Sequence, residues 1–148
     1  MELIILIGIP GSGKTSFYRK NYFNTHMRIS LDLFNTRNKE KRFMDLAFSL
    51  QQRMVLDNTN VTRAEREGYI QQAKANKFAV IGYYFESNLS ACLERNENRP
   101  VKEKIKRVGV IAKCKALELP TYEEWFDRLF YVSLKNNEFK IKDWNDEI

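Results

Sequence analysis

Eight residues near the amino end, Gly8-Ile9-Pro10-Gly11-Ser12-Gly13-Lys14-Thr15, carry the spacing G-x-x-x-x-G-K-[ST]. They follow a short apolar run and precede a helical pattern, the context in which this spacing binds the phosphates of a nucleoside triphosphate. Gly11 and Gly13 allow the backbone to curl until several N–H groups converge on phosphate oxygens. The positive end of the following helix points at the same spot. Gly11, Ser12, Gly13, Lys14, Thr15 and Ser16 are therefore the expected nucleotide contacts. Lys14 is placed to reach the β- and γ-phosphates, and the Thr15 hydroxyl to ligate Mg²⁺.

Two carboxylates have the position to complete such a site. Asp57 ends the run Arg53-Met54-Val55-Leu56-Asp57, where an acid can hold Mg²⁺ from the opposite side, partly through water. Its alternative is to open the Asn58-Thr59-Asn60 turn, as Asx residues do. Asp32 follows Arg28-Ile29-Ser30-Leu31, at the carboxyl edge where open α/β sheets bind ligands. It is either a general base for an attacking hydroxyl or the N-cap of a helix beginning at Leu33; the residues alone leave both open.

The elements that must hold these residues alternate between strand and helix. Leu3–Ile9 is continuously apolar, the mark of a strand buried on both faces of a parallel sheet. A helix is expected from Gly13 to about Asn21, and strands at 27–30, 53–57, 78–85 and near 129–134. Phe43, Leu46, Ala47 and Leu50 recur at helical spacing, which predicts that they form the buried face of one helix. Thr62 with Glu65, and Thr121 with Glu124, have the spacing of reciprocal capping boxes. Ser87 is a candidate cap for a helix with the apolar stripe Leu89, Cys92 and Leu93, and Asn136-Asn137 a turn into a C-terminal hairpin or tail over 134–148. The pattern predicts one domain, with a mostly parallel sheet of about five strands and helices on both faces.

At 148 residues the chain is long enough to bury a core, and its 43% hydrophobic content argues against disorder. The net charge of +6 biases it toward anionic partners, or serves solubility alone. Cys92 and Cys114 have no metal or redox spacing. The opening apolar run is too short for a membrane span and runs straight into the glycines, so a cytoplasmic, membrane-free protein is expected. The guanine-reading Asn-Lys-x-Asp of switch GTPases is absent from the sequence.

The stretches "GIPGSGKTSFYRK", "RISLD", "VLDNTNVTRAER" and "YYFESNLSACLERNENRPV", in this order, resemble the P-loop polynucleotide 5′-hydroxyl kinases and their close relatives over roughly Leu3 to Leu134. The resemblance implies a three-layer P-loop kinase fold with a small basic lid, here about residues 99–117. It implies that Asp32 is the general base, that Arg95 and Arg99 contact the phosphates, and that Asp57 lies near the metal with Asn60 near the acceptor. On charge alone those two arginines also read as solvated surface residues. Many relatives carry an arginine three residues after the base; Asn35 stands there, and Arg37 is the substitute for acceptor contact. The phosphatase signature of the bifunctional members is not found.

Three functions remain in play. The first is ATP-dependent phosphoryl transfer to a 5′-hydroxyl of RNA or DNA, with Mg²⁺ as cofactor. The second is transfer to a small-molecule hydroxyl such as a nucleoside, sugar, antibiotic or cell-wall precursor. The third is a non-kinase ATP switch in which Asp32 only caps a helix.

Overall fold

A computed structural model of the chain describes residues 1–146; of the expected C-terminal tail, Glu147 and Ile148 lie outside the described residues. The strands are β1 (Glu2–Ile7), β2 (Met27–Ile29), β3 (Met54–Leu56), β4 (Ala79–Phe85), β5 (Arg128–Lys135) and β6 (Glu138–Asp143). The helices are α1 (Lys14–Asn21), α2 (Leu31–Phe34), α3 (Arg37–Ser49), α4 (Arg63–Ala75), α5 (Leu89–Glu97) and α6 (Arg107–Ala116). They build one six-stranded sheet in the order β2-β3-β1-β4-β5-β6, parallel throughout except for the β5–β6 pair. That pair is the expected hairpin. Asn136 and Asn137 turn it at φ 53° and 61°, the doubly left-handed backbone that matches the twist of a two-residue turn.

β1 lies at the centre, and Leu3 through Ile7 are fully buried. Its side chains alternate between faces, as a period of two requires. Leu3, Ile5 and Ile7 join Met44, Ala47 and Phe48 of α3 and Ile70 and Ala73 of α4. Ile4 and Leu6 meet Phe17 and Tyr18 of α1 on the other side. A third cluster, Ile9, Val61, Cys92, Leu93 and Val110, ties α5 and α6 to the carboxyl edge of the sheet. Each large aliphatic buried this way contributes about 1.5–3 kcal/mol.

Thr62 caps α4, its Oγ1 accepting the Glu65 N–H at 3.2 Å. The reciprocal bond from the Thr62 N–H to the Glu65 side chain is absent among the described residues, so half of the expected box forms. Elsewhere the structure corrects the sequence reading. On α3 the buried residues are Glu40, Met44, Ala47 and Phe48, whereas Phe43, Leu46 and Leu50 are exposed. Two apolar stripes overlap on this helix, and packing against β2 and α4 selects the one containing Met44. The cap of α5 is Asn88, whose Oδ1 accepts from the Ala91 N–H at 3.0 Å. Ser87 instead accepts from the Ile9 N–H and donates to the Phe85 carbonyl. Thr121 opens only a short 3₁₀ turn, Tyr122–Glu124, in which Glu124 accepts the Thr121 N–H at 2.9 Å. Among the described residues, no helix is long and apolar enough to cross a membrane.

Candidate active site

The glycine loop joins β1 to α1 and is clamped from two sides. A side chain on Gly11, at φ +86°, would lie 2.4 Å from the Cys92 carbonyl of α5. One on Gly13, at φ +103°, would lie 3.1 Å from the Phe139 ring of β6. Only glycine tolerates both that backbone and that closeness. Lys14 opens α1 and folds back over the loop, donating to the Gly8 carbonyl at 2.9 Å, the Ile9 carbonyl at 3.0 Å and Ser12 Oγ at 3.4 Å. Burial is the main force that pushes its amine down to about 8, and the charge of Arg99 adds to the effect; Asp57 opposes it.

Asp57, at the end of β3, is 5% exposed. Its Oδ2 accepts from Thr15 Oγ1 and from Arg28 Nε, both at 2.8 Å. Thr15 and Asp57 therefore place a hydroxyl and a carboxylate side by side at the phosphate loop. Two oxygen donors of this kind suit Mg²⁺, which keeps several waters and takes its remaining ligands from substrate phosphates. A cluster of three or more Asp, Glu, His or Cys able to hold a metal is absent among the described residues. The donor set thus fits an ion that arrives with a nucleotide.

Asp32 lies in the first turn of α2. The cap of that helix is Ser30, whose Oγ accepts the Asp32 N–H at 3.2 Å. Asp32 is exposed, and its carboxylate forms no hydrogen bond or ion pair among the described residues. It is not the cap. Lys14, Thr15, Asp32, Asp57, Arg37 and Arg99 line one cleft of about 290 Å³ at the carboxyl edge of the sheet. Ile105, Gly109 and Lys113, from the basic segment and α6, form part of its wall.

Two of the remaining expected residues, Arg95 and Asn60, are engaged elsewhere. Arg95 is not among the cleft residues; its Nη1 donates to the Gly11 carbonyl at 2.7 Å and so braces the loop from α5. Asn60 is 1% exposed, and its Nδ2 donates to the Leu6 carbonyl at 2.8 Å and the Asn58 carbonyl at 3.2 Å. An acceptor has no access to it.

Several supporting residues were not anticipated. Leu31 N–H donates to Asn58 Oδ1 at 2.9 Å, and Asn58 Nδ2 donates to Glu40 Oε2 at 2.9 Å. The other oxygen of Glu40 accepts from Tyr69 Oη, which in turn accepts from Arg37 Nη1 at 2.5 Å. Burial, then the bond to Glu40, pushes the Tyr69 hydroxyl above its ordinary value. A chain of hydrogen bonds thus fixes the first turn of α2, which carries Asp32, to β3, α3 and α4. Arg66 of α4 is fully buried, pairs both carboxylate oxygens of Glu124 at 2.8 and 3.2 Å, and donates to the Asn60 and Val61 carbonyls. Asn96 clasps the backbone of Ile105 through both halves of its amide, at 2.6 and 3.0 Å, pinning the loop that carries Arg99. One signal was available: Glu40 and Arg66 each sit one helical turn before the first apolar residue of a buried stripe, Met44 and Ile70.

The AAA_33 family model, described as an AAA domain, matches residues 3–116. The chain belongs to this family. A putative bifunctional polynucleotide phosphatase/kinase of Acanthamoeba polyphaga mimivirus is 32% identical over 140 residues, covering 89% of this chain and 33% of the relative. The bifunctional polynucleotide phosphatase/kinase of Schizosaccharomyces pombe is 25% identical over 150 residues, covering 98% of this chain and 36% of the relative. The chain therefore spans about a third of the length of these curated relatives. In fold it resembles Chaetomium thermophilum Kti12, solved with ADP-AlF3, at a TM-score of 0.68 and 19% identity, covering 92% of this chain and 91% of that one. The AAA_33 domain has the P-loop kinase fold, with a mostly parallel sheet and one antiparallel pair.

Proposed function

We propose that this AAA_33 domain transfers the γ-phosphate of ATP to a 5′-hydroxyl of a polynucleotide. The observation that carries the reading is that Asp32, whose carboxylate has no hydrogen bond or ion pair among the described residues, lines the same cleft as Lys14, Thr15 and Asp57. The names of the two curated relatives support the choice of acceptor.

In this reading the loop amides and Lys14 hold the β- and γ-phosphates, and Arg99 approaches from the basic segment to neutralise charge on the transferring group. Asp32 takes the proton of the acceptor hydroxyl as its oxygen bonds to the γ-phosphorus. The bond from the γ-phosphorus to the β,γ-bridging oxygen breaks, and ADP leaves with that electron pair. Thr15 and Asp57 would hold Mg²⁺, which when bound supplies further neutralisation of the phosphate oxygens. Arg95 acts at one remove, by holding the Gly11 carbonyl.

The test is γ-labelled ATP with 5′-hydroxyl RNA and DNA oligonucleotides. Label transfer is expected, and Asp32→Ala lowers it by about 10²- to 10⁴-fold, the usual worth of a general base, while ATP binding persists. No transfer at micromolar enzyme, or full turnover in Asp32→Ala, overturns the proposal. One observation favours a small-molecule hydroxyl as a second reading. Asn35, the position at which the resemblance to polynucleotide kinases implies an arginine in many members, is the left-handed C-cap of α2 at φ 69°, and offers no cation to an acceptor phosphate. Nucleosides and sugars in the same assay separate the two.

A further inference from the structure

α3 has one apolar face more than the core uses. Phe43, Leu46 and Leu50 follow one another at helical spacing and are 45%, 55% and 68% exposed. Single exposed leucines are ordinary; a stripe of them beside a candidate catalytic acid marks an interaction surface. Phe34 packs against the core and stacks face to face on Phe43, with ring centroids 4.4 Å apart and planes 7° from parallel. Phe43 is thus the outer plate of the pair. Lys39 and Arg42 line the same groove of about 400 Å³ with Phe43 and Leu46. Neither cation is in an ion pair among the described residues, whereas Lys41 on another side of the helix pairs with Asp45. The groove is tied to the site through Phe34, two residues after Asp32, whose ring stacks on Phe43.

We infer that this groove is the track for the nucleotides that follow the 5′-terminal one in a single-stranded polynucleotide acceptor. Backbone phosphates lie against Lys39 and Arg42, and a base stacks on the outer face of Phe43 and runs onto Leu46. The inference rests on the polynucleotide-kinase reading and adds to it a second contact region, outside the catalytic cleft. An exposed aromatic plate flanked by unpaired cations is the unit from which non-specific single-strand binding is built. A second copy of the chain fits less well, since an isologous contact brings the cations of one stripe toward those of the other.

The experiment measures anisotropy of a 3′-labelled, 5′-hydroxyl single-stranded 12-mer across a salt series, with KM for the 12-mer and for a nucleoside 3′-phosphate in parallel. The Lys39→Ala/Arg42→Ala double variant is expected to lose two phosphate contacts, lowering the log–log salt slope by about 1.4. Phe43→Ala is expected to weaken binding about tenfold, the loss of one stacked base. Thermal melts report whether Phe43→Ala still folds. Leu46→Lys and Leu46→Glu read the groove independently at an exposed site: the first retains or tightens binding, the second weakens it. KM and kcat for the nucleoside 3′-phosphate stay as in wild type in all four. Unchanged 12-mer binding and salt slope in the folded double variant overturn the inference. So does a concentration-dependent dimer that Leu46→Glu abolishes while leaving 12-mer binding intact. If wild type binds the 12-mer with these dependences but transfers no label, the catalytic reading fails and the groove stands; if it phosphorylates the 12-mer with wild-type KM in every variant, the reverse holds.

Discussion

Where the triphosphate is expected, Lys14 and Asp57 are each held by several partners; where the acceptor hydroxyl is expected, the Asp32 carboxylate has no hydrogen bond or ion pair among the described residues. Lys14 has three acceptors, Asp57 two donors on one oxygen, and the loop that carries them is braced by the Gly11–Arg95 bond and by close packing on α5 and β6. Asp32 stands exposed on a four-residue helix. On the proposed function, the physical difference follows from what each side would recognise. A triphosphate presents the same charges every time and rewards a rigid cradle built from backbone, because preorganised dipoles cost nothing at the moment of reaction. In the same proposal, a carboxylate that is to accept a proton gains from having no competing donor, and the position of Asp32 is set indirectly, through the backbone of its own turn.

The largest way to break this contrast is to remove what both sides share. Arg66 satisfies Glu124 and the Asn60 and Val61 carbonyls from a fully buried position. Arg66→Met leaves a buried carboxylate without its partner, and a loss of about 3–5 kcal/mol is expected in urea unfolding. Arg66→Met with Glu124→Leu should recover much of it, since an apolar pair replaces the charges. Failure of the double variant to recover would mean that the two carbonyls, not the ion pair, carry the cost.

Glu40 comes next and acts on the acceptor side alone. Its two oxygens accept from Asn58 and Tyr69, and Asn58 in turn accepts the Leu31 N–H at the start of the Asp32 helix. Glu40→Gln offers one acceptor oxygen where two donors arrive, so a destabilisation of about 1–3 kcal/mol is expected. Turnover should fall with it, because Asp32 loses its fixed position, while the Kd for ATP stays constant. Equal losses in ATP affinity and turnover would show that Glu40 serves the whole domain and not the acceptor side.

How far these features could be read from the sequence tracks how local they are. The buried β1 run, the glycine loop and the Asn136-Asn137 turn each depend on neighbours a few residues away, and the structure has them as expected, with Thr62 capping α4 through one half of its box. Of the face expected on α3 only Ala47 is buried, because Phe43-Leu46-Leu50 and Met44-Ala47-Phe48 have the same period and only the fold says which stripe meets the sheet. The groups that settle the site are non-local. Glu40 finds Asn58 and Tyr69 at separations of 18 and 29 residues, and Arg66 finds Glu124 at 58. Arg95 and Arg99 look alike in sequence, four apart on or beside one helix, yet one braces the loop and the other enters the cleft.

The smallest effect separates the two carboxylates most finely. The Lys14 amine is held down to about 8 chiefly by burial and then by Arg99; Asp57 pulls it back up, and more than Asp32 does. Phosphate binding needs the charged form. Below pH 8 the amine of the free protein is already protonated, so ATP affinity should be flat with pH. Above pH 8 each bound ATP must bring a proton with it, and the Kd should rise toward tenfold per pH unit until the amine of the complex itself titrates. Lys14→Arg, whose guanidinium stays charged, should remove the break. Asp32→Asn removes the weaker of the two supports and should move the break slightly downward; Asp57→Asn should move it further, because the stronger support is lost. Calorimetric titration of ATP between pH 7.5 and 10 checks both shifts. A larger displacement in Asp32→Asn than in Asp57→Asn would place the acceptor-side carboxylate closer to the phosphate cradle than the open cleft between them allows.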